Sequence, residues 1–257
     1  MNGSDGDRPP RAVVLDTDGV LLDSAGTHAA AWKTAFDPCL AAHASDGAGT
    51  GAPFDADTEY RRFVDGRSRY DGAEALLTAR DIHLPPGHPG DPPGCGTVWA
   101  VAARKEAAFR QALDAGAVVA FADAGSALAA WRTRRIPCAA VSASRHARTL
   151  LAATGLDTFL AAVVDGEDAA RLALPGKPDP ALFLEAAGRL GTRPADTAVV
   201  EDALAGVRAG RRGGFGHVVG IDRSRDAHGS AALRREGADL VVPDLSALVR
   251  NGWDGRT

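Results

Sequence analysis

Lysine is the scarcest charged residue in this chain: Lys33, Lys105 and Lys177 stand alone among many arginines. A coding bias toward Arg, Ala and Gly accounts for the shortage. Each surviving lysine therefore marks a position where arginine is a poor substitute for a compact ammonium. Cysteine is equally rare. Cys39, Cys95 and Cys138 are odd in number, far apart and without a CxxC pair, which predicts neither a disulfide framework nor a zinc site. No run of about eighteen apolar residues occurs, so no membrane-spanning helix is expected. Positive charge is not in excess: 29 Lys and Arg against 33 Asp and Glu give a formal charge of -4. That balance leaves no basic footprint for nucleic acid or an anionic membrane. The first ten residues, MNGSDGDRPP, lack the apolar stretch of an export signal. They read as a disordered tail, residues 1–10, and the protein is expected in the cytoplasm.

What is present is an ordinary globular composition, 45% apolar and 24% charged over 257 residues, enough for one or two domains. Apolar runs that end in polar residues recur along it. Ala12 to Leu15 ends at Asp16, Ile136 to Val141 at Ser142, Ala161 to Val164 at Asp165 and Ala198 to Val200 at Glu201. His217 to Ile221 and Leu240 to Val242 complete the series, with Asp222 and Asp244 just beyond. Such runs suit buried parallel strands whose carboxyl ends open into polar loops. Helical spacing separates them over Ser126–Arg135, Ala147–Thr154, Pro180–Leu190, Ala205–Arg212 and Ser230–Glu236. Pro180 suits a helix start, and Gly155, Gly191 and Gly237 suit helix ends. The alternation predicts a doubly wound, Rossmann-like α/β domain with its site at the carboxyl edge of a parallel sheet. Between Ser24 and Ala115 the pattern breaks into helical spacing at His28–Phe36, Arg69–Arg80 and Val98–Leu113, with no buried strand. That stretch is too long for a loop and reads as an inserted helical domain, residues 24–115, in a core of residues 11–23 and 116–257. Its Pro/Gly-rich segment His83–Gly96 is expected at the surface.

The sharpest chemical signal is Asp16-Thr17-Asp18-Gly19-Val20 at the end of the first strand. Two carboxylates on alternate residues can divide the work at one phosphorus: Asp16 attacks, and Asp18 moves the proton of the attacking or leaving oxygen. Gly19 permits the tight turn. A solvated acidic turn is the plain alternative. A calcium loop is excluded because Thr27, not glutamate, occupies its twelfth position. Ser142 can hold phosphate oxygens, Lys177 in GKPDP supplies a fixed cation, and Glu201-Asp202 offer carboxylates to Mg²⁺, a hard ion that prefers oxygen. Each also has a structural reading, as helix cap, surface lysine or capping acid pair. Their order along one α/β pattern favours a shared site. The glycine cluster at Gly210–Gly216 follows a helix rather than a strand, so it is not a dinucleotide fingerprint. PGKP lacks the spacing of a nucleotide-binding loop.

DTDGV, VSAS, GKPDP and VVEDALAGV resemble the four motifs of the haloacid dehalogenase superfamily, and the inserted stretch resembles its cap domain. Within the superfamily the likeness is nearest to the β-phosphoglucomutase-like subfamily and covers nearly the whole chain after the tail. The resemblance implies an aspartyl phosphate on Asp16, with Asp18 as general acid/base. It implies Mg²⁺ held by Asp16, the Asp18 backbone carbonyl and Asp202, with Glu201 beside it, and the transferring phosphate held by Ser142 and Lys177. In the cap, His28 matches a hinge histidine, Arg69 the arginine that grips the distal phosphate of the sugar, and Lys105 a lysine of the sugar pocket. Ser144, Arg145 and His146 stand where core residues bind substrate, with His146 replacing an asparagine. Two departures touch the substrate. Asp65 stands where a lysine is frequent, and the His83–Gly96 excursion is longer than in the subfamily. Thr17 replaces a bulky apolar residue, a change of packing more than of chemistry. The expected substrate is a small sugar phosphate and the expected enzyme a monomer with no nucleic-acid or membrane partner. A phosphosugar mutase leads, with a phosphatase acting on a sugar, cyclitol or amino-sugar phosphate as the alternative.

Overall fold

The computed structural model describes residues 9–44, 51–223 and 227–251. Of the expected tail only Pro9 and Pro10 fall among them, and residues 1–8 lie outside the described residues. The chain divides into two compact units, Met1–Asp23 with Val119–Thr257 and, separately, Ser24–Val118.

The first unit is built on six parallel strands: β1 (Ala12–Asp16), β4 (Cys138–Val141), β5 (Ala162–Val164), β6 (Thr197–Glu201), β7 (His217–Ile221) and β8 (Leu240–Val242). Their spatial order is β5-β4-β1-β6-β7-β8. All six expected strands form, because runs such as AVVL and AVV are apolar on both faces and both faces are covered. The winding reverses at β1, which has β4 on one side and β6 on the other; Leu15 pairs with Ala140 and with Val200. A reversal of this kind leaves a crevice beyond the strands' carboxyl ends, where α/β proteins bind ligands. Leu182 and Phe183 of α7 (Ala181–Arg189) and Val207 of α8 (Leu204–Arg212) pack with Val14, Val199 and Val218 in the core. Around the same sheet run α4 (Ala124–Thr133), α5 (Ala147–Ala153), α9 (Ala227–Glu236) and α10 (Leu245–Asn251). Gly155, Gly191 and Gly237 all adopt positive φ just past helix ends, the conformation a side chain resists. The sequence pattern misses α6 (Gly166–Leu172), a seven-residue helix capped by Asp165, whose carboxylate accepts the Glu167 and Asp168 amides. It also misses an antiparallel ribbon of β2 (Leu22–Asp23) and β3 (Val119–Ala120), too short for periodicity to show.

The second unit is helical, with no strand among its described residues. Its helices α1 (Ala25–Ala44), α2 (Arg69–Ala79) and α3 (Val98–Asp114) surround Trp32, Phe36, Phe54, Leu76, Leu77 and Val101. The helix α1 runs past Phe36 and through Pro38, further than expected. An interior proline costs roughly 3 kcal/mol, but here buried Phe36, Cys39 and Leu40 flank it, and Asp37 accepts the Phe54 amide at 2.8 Å.

Cysteine pairing requires a correction. Cys39 and Cys95 form a disulfide across 56 residues, tying α1 to the Pro/Gly-rich excursion. An odd count and wide spacing argue against a framework of bridges, but a single bridge depends on tertiary approach, which spacing does not reveal. Cys138 is free and buried, its thiol pushed up to about 12 by burial, so it is an inert core residue. No helix among the described residues is long and apolar enough to cross a membrane.

Candidate active site

The strands on either side of the reversal deliver the site. Asp16 is the last residue of β1, Ser142 follows β4, and Glu201 ends β6 with Asp202 next. Lys177 arrives on the loop between α6 and α7. It is almost wholly buried, its ammonium hydrogen-bonded to Asp16 Oδ1 and, at 2.5 Å, to Glu201 Oε1. The Phe183 ring lies 4.8 Å away. A buried ammonium is tolerated only when paired and hydrogen-bonded. Burial alone would lower the lysine's pKa, but Asp16 and Glu201 reverse that effect and hold it well above its ordinary value.

Glu201 has both oxygens committed. Its Oε2 accepts the Ala203 amide at 2.6 Å while Oε1 takes Lys177, and its side chain is fully buried. A Cβ on Gly206 would collide with this carboxylate, which explains glycine in the first turn of α8. Asp16 is in the opposite electrostatic position. Burial drives its carboxyl pKa well above the ordinary value, and Glu201 and Asp18 push it further, against the opposing pull of Lys177. The site therefore carries more negative charge than Lys177 alone can neutralise.

Asp18 lies just beyond β1 and accepts a hydrogen bond from Ser142 Oγ at 2.9 Å. Ser142 Oγ in turn accepts the Ser144 amide at 3.0 Å, so the serine fixes both the aspartate and the start of the next loop. Thr17, between the two acids, is fully buried; its amide and hydroxyl both donate to the Val141 carbonyl, at 2.9 and 3.0 Å. Threonine at this position thus adds a bond between β1 and β4, a polar role that packing considerations alone do not anticipate. Gly19 has φ +81°, and a Cβ there would run into the Asp202 carboxylate, so Asp202 lies directly over the turn after Asp18. Asp16, Asp18, Ser142, Lys177, Glu201 and Asp202 are thereby linked by direct contacts at one sheet edge.

Ser144, Arg145 and His146 continue from Ser142 toward α5. Ser144 Oγ accepts the His146 amide at 3.2 Å, and Arg145 is exposed. His146 precedes α5 without a side-chain cap bond. Within the helical unit, His28 and Lys105 meet: Lys105 Nζ lies 2.9 Å from His28 Nδ1. Both are buried, His28 stacks on Phe109 at 4.0 Å, and the lysine lies 4.2 Å from the same ring. Arg69, at the start of α2, forms an ion pair with Glu106 of α3 at 2.6 Å. Glu106 also holds Arg110 at 3.2 Å, and the Trp99 ring lies 6.0 Å from the Arg69 guanidinium. No sequence pattern relates residues 69 and 106; only the packing of α2 on α3 pairs them.

Residues 10–214 match the family model of haloacid dehalogenase-like hydrolases. The chain belongs to that family. Within it, the relatives are β-phosphoglucomutase-like. A Mycobacterium bovis protein named β-phosphoglucomutase is 44% identical over 240 residues, covering 93% of this chain and 91% of that protein. The Bacillus subtilis protein of the same name is 28% identical, covering 95% and 96%. Among solved structures, a haloacid dehalogenase family hydrolase from Deinococcus radiodurans with bound phosphate and sodium is 29% identical. It superposes with a TM-score of 0.63 over 94% of each chain. The six-stranded sheet and its flanking helices are the family's Rossmann-like fold, and this chain is an enzyme of the family.

Proposed function

We propose that the protein is a Mg²⁺-dependent phosphosugar mutase of β-phosphoglucomutase type, working through an aspartyl phosphate on Asp16. The observation that carries the reading is Lys177 buried between Asp16 and Glu201 at the winding reversal. A lysine placed there neutralises a nucleophilic carboxylate and an incoming phosphate without blocking in-line approach. Asp16 Oδ attacks phosphorus and the ester oxygen leaves with a proton from Asp18. In the return half, Asp18 takes the proton of a sugar hydroxyl as that oxygen attacks the phosphoaspartate. Ser142 holds Asp18 for both transfers, and its hydroxyl stands ready for a phosphate oxygen.

The donor chemistry fits Mg²⁺. Among the described residues no three Asp, Glu, His or Cys side chains form a ready metal cage. Mg²⁺, however, keeps several waters and takes only one or two carboxylates. Asp16, Asp202 and the Asp18 carbonyl would hold it, and it would neutralise charge that Lys177 leaves over. Glu201, with both oxygens on protein donors, is better assigned to anchoring Lys177 than to binding the metal.

The inserted helical unit is read as the cap domain that selects the substrate: Arg69 for a second phosphate, and Lys105 with His28 for the sugar. Ser144, Arg145 and His146 complete the substrate set on the core. The phosphatase alternative keeps one specific support: Glu106 already neutralises Arg69, and Asp65 adds a negative charge to the same unit. The test is ³¹P NMR of β-glucose 1-phosphate with β-glucose 1,6-bisphosphate as primer and Mg²⁺. Glucose 6-phosphate should accumulate, stop on chelation, and fall sharply in Arg69→Ala, which should still hydrolyse p-nitrophenyl phosphate. Stoichiometric release of inorganic phosphate without isomer would assign the enzyme to the phosphatases.

A further inference from the structure

We propose that Arg223 is a positioning residue for the loop that carries Asp18, an inference that rests on the phosphoryl-transfer role proposed for that loop. Arg223 stands two residues past β7, outside all four motifs, and reaches across 204 residues of sequence to the turn after Asp18. Its Nε donates to the Gly19 carbonyl at 2.9 Å and its Nη2 to the Val20 carbonyl at 2.6 Å. The guanidinium is itself held. Asp123 takes Nη1 at 3.1 Å and Nη2 at 3.4 Å, and the Phe121 ring centroid lies 3.5 Å from its central carbon. Asp123 is fixed in turn by the Leu245 amide at 2.7 Å.

The turn needs such a holder because its inner bonds face the other way. The Leu21 and Leu22 amides converge on the Thr17 carbonyl at 3.0 and 2.8 Å, and the Gly19 amide donates to Leu22 O at 2.8 Å. Those bonds leave the Gly19 and Val20 carbonyls to be satisfied from outside, and buried carbonyls require partners. Gly19, at φ +81°, is the most freely rotating residue of the turn. Rotation about it would carry the Asp18 carboxylate away from Ser142 and change the place of Asp202. A planar guanidinium meets two successive carbonyls at once, whereas an ammonium on a flexible stem does not.

Displacement of a reacting group by about 1 Å can cost on the order of a hundredfold in rate. Arg223→Met should therefore lower kcat for p-nitrophenyl phosphate by about tenfold to a hundredfold, with KM held within about twofold. Arg223→Lys should recover only a minor part. Hydrogen exchange reads the loop directly: the Gly19, Leu21 and Leu22 amides should lose protection in Arg223→Met while the β1 and β6 amides keep theirs. If Arg223→Met does not fold, Asp123→Asn, which removes the guanidinium's charge partner, should give the same exchange pattern with a smaller fall in kcat. Unchanged kcat and unchanged exchange at the turn would overturn the proposal, as would a loss of protection spread evenly over the sheet. Turnover surviving in Asp16→Asn would instead remove the phosphoryl-transfer reading, and the exchange result would still judge the Arg223 contact on its own.

Discussion

Lys177 is where residue chemistry is most exacting. Its ammonium sits between two carboxylates in a space closed by Phe183 and almost without solvent. Arginine carries the same charge on a broad planar fork and does not fit between Asp16 and Glu201. Lys177→Arg should thus lower kcat about a hundredfold or more, in the range seen when a fixed transition-state donor is lost, as steady-state turnover of p-nitrophenyl phosphate would show. Near-normal rates would make the lysine's charge alone sufficient. The scarcity of lysine makes this residue visible in the sequence alone, as the DTDG and VVED patterns do for the acids. Thr17 is different. Its place in the motif is plain, but its bond to Val141 depends on β1 and β4 lying side by side. Glu106 is hidden for the same reason: its partner Arg69 is 37 residues away on another helix.

At the scale of elements, the edge strand β5 is secured by an ionic cluster rather than by a second neighbouring strand. Asp168 of α6 accepts Arg148 of α5 at 2.6 Å, Arg171 at 2.5 Å and Arg189 of α7 at 3.0 Å. Arg148 and Arg189 also donate to the Val163 carbonyl in β5. Arg189 foremost, then Arg171 and Arg148, hold the Asp168 carboxyl well below its ordinary pKa against the effect of burial. A depressed carboxylate adds stability that is complete above the unfolded pKa, near 3.9 for aspartate, and lost as pH falls through the folded value. Asp168→Asn should cost about 1–3 kcal/mol at pH 7, discounted for the exposed arginines. The gap to the parent protein should narrow steadily below about pH 4, as urea titrations at several pH values would measure. A gap independent of pH would mean that packing, not charge, holds the cluster. The strands themselves are legible because buried parallel strands read as apolar runs ending in polar residues. The helix α6 is not, although its cap Asp165 stands in view, because seven residues are too few to display a helical period.

For the whole molecule, the division into a sheet unit and an inserted helical unit can be read from where strand signals stop and resume. The single disulfide cannot, since it joins the middle of α1 to a loop with no pattern of its own. Nor can the Arg223 contact, which links the loop after β7 to the turn after β1 through bonds to backbone carbonyls that no sequence motif records. The central claim concerns the whole chain at work: phosphate passes through Asp16 on its way between two positions of a sugar. Rapid acid quench of the Mg²⁺-loaded enzyme turning over β-glucose 1,6-bisphosphate, followed by peptide mass spectrometry, tests it most directly. The account predicts one phosphate on the peptide containing Asp16, absent from Asp16→Asn and discharged when glucose 1-phosphate is added before the quench. Full turnover with no phosphate on that peptide, or unaltered turnover in Asp16→Asn, would contradict it.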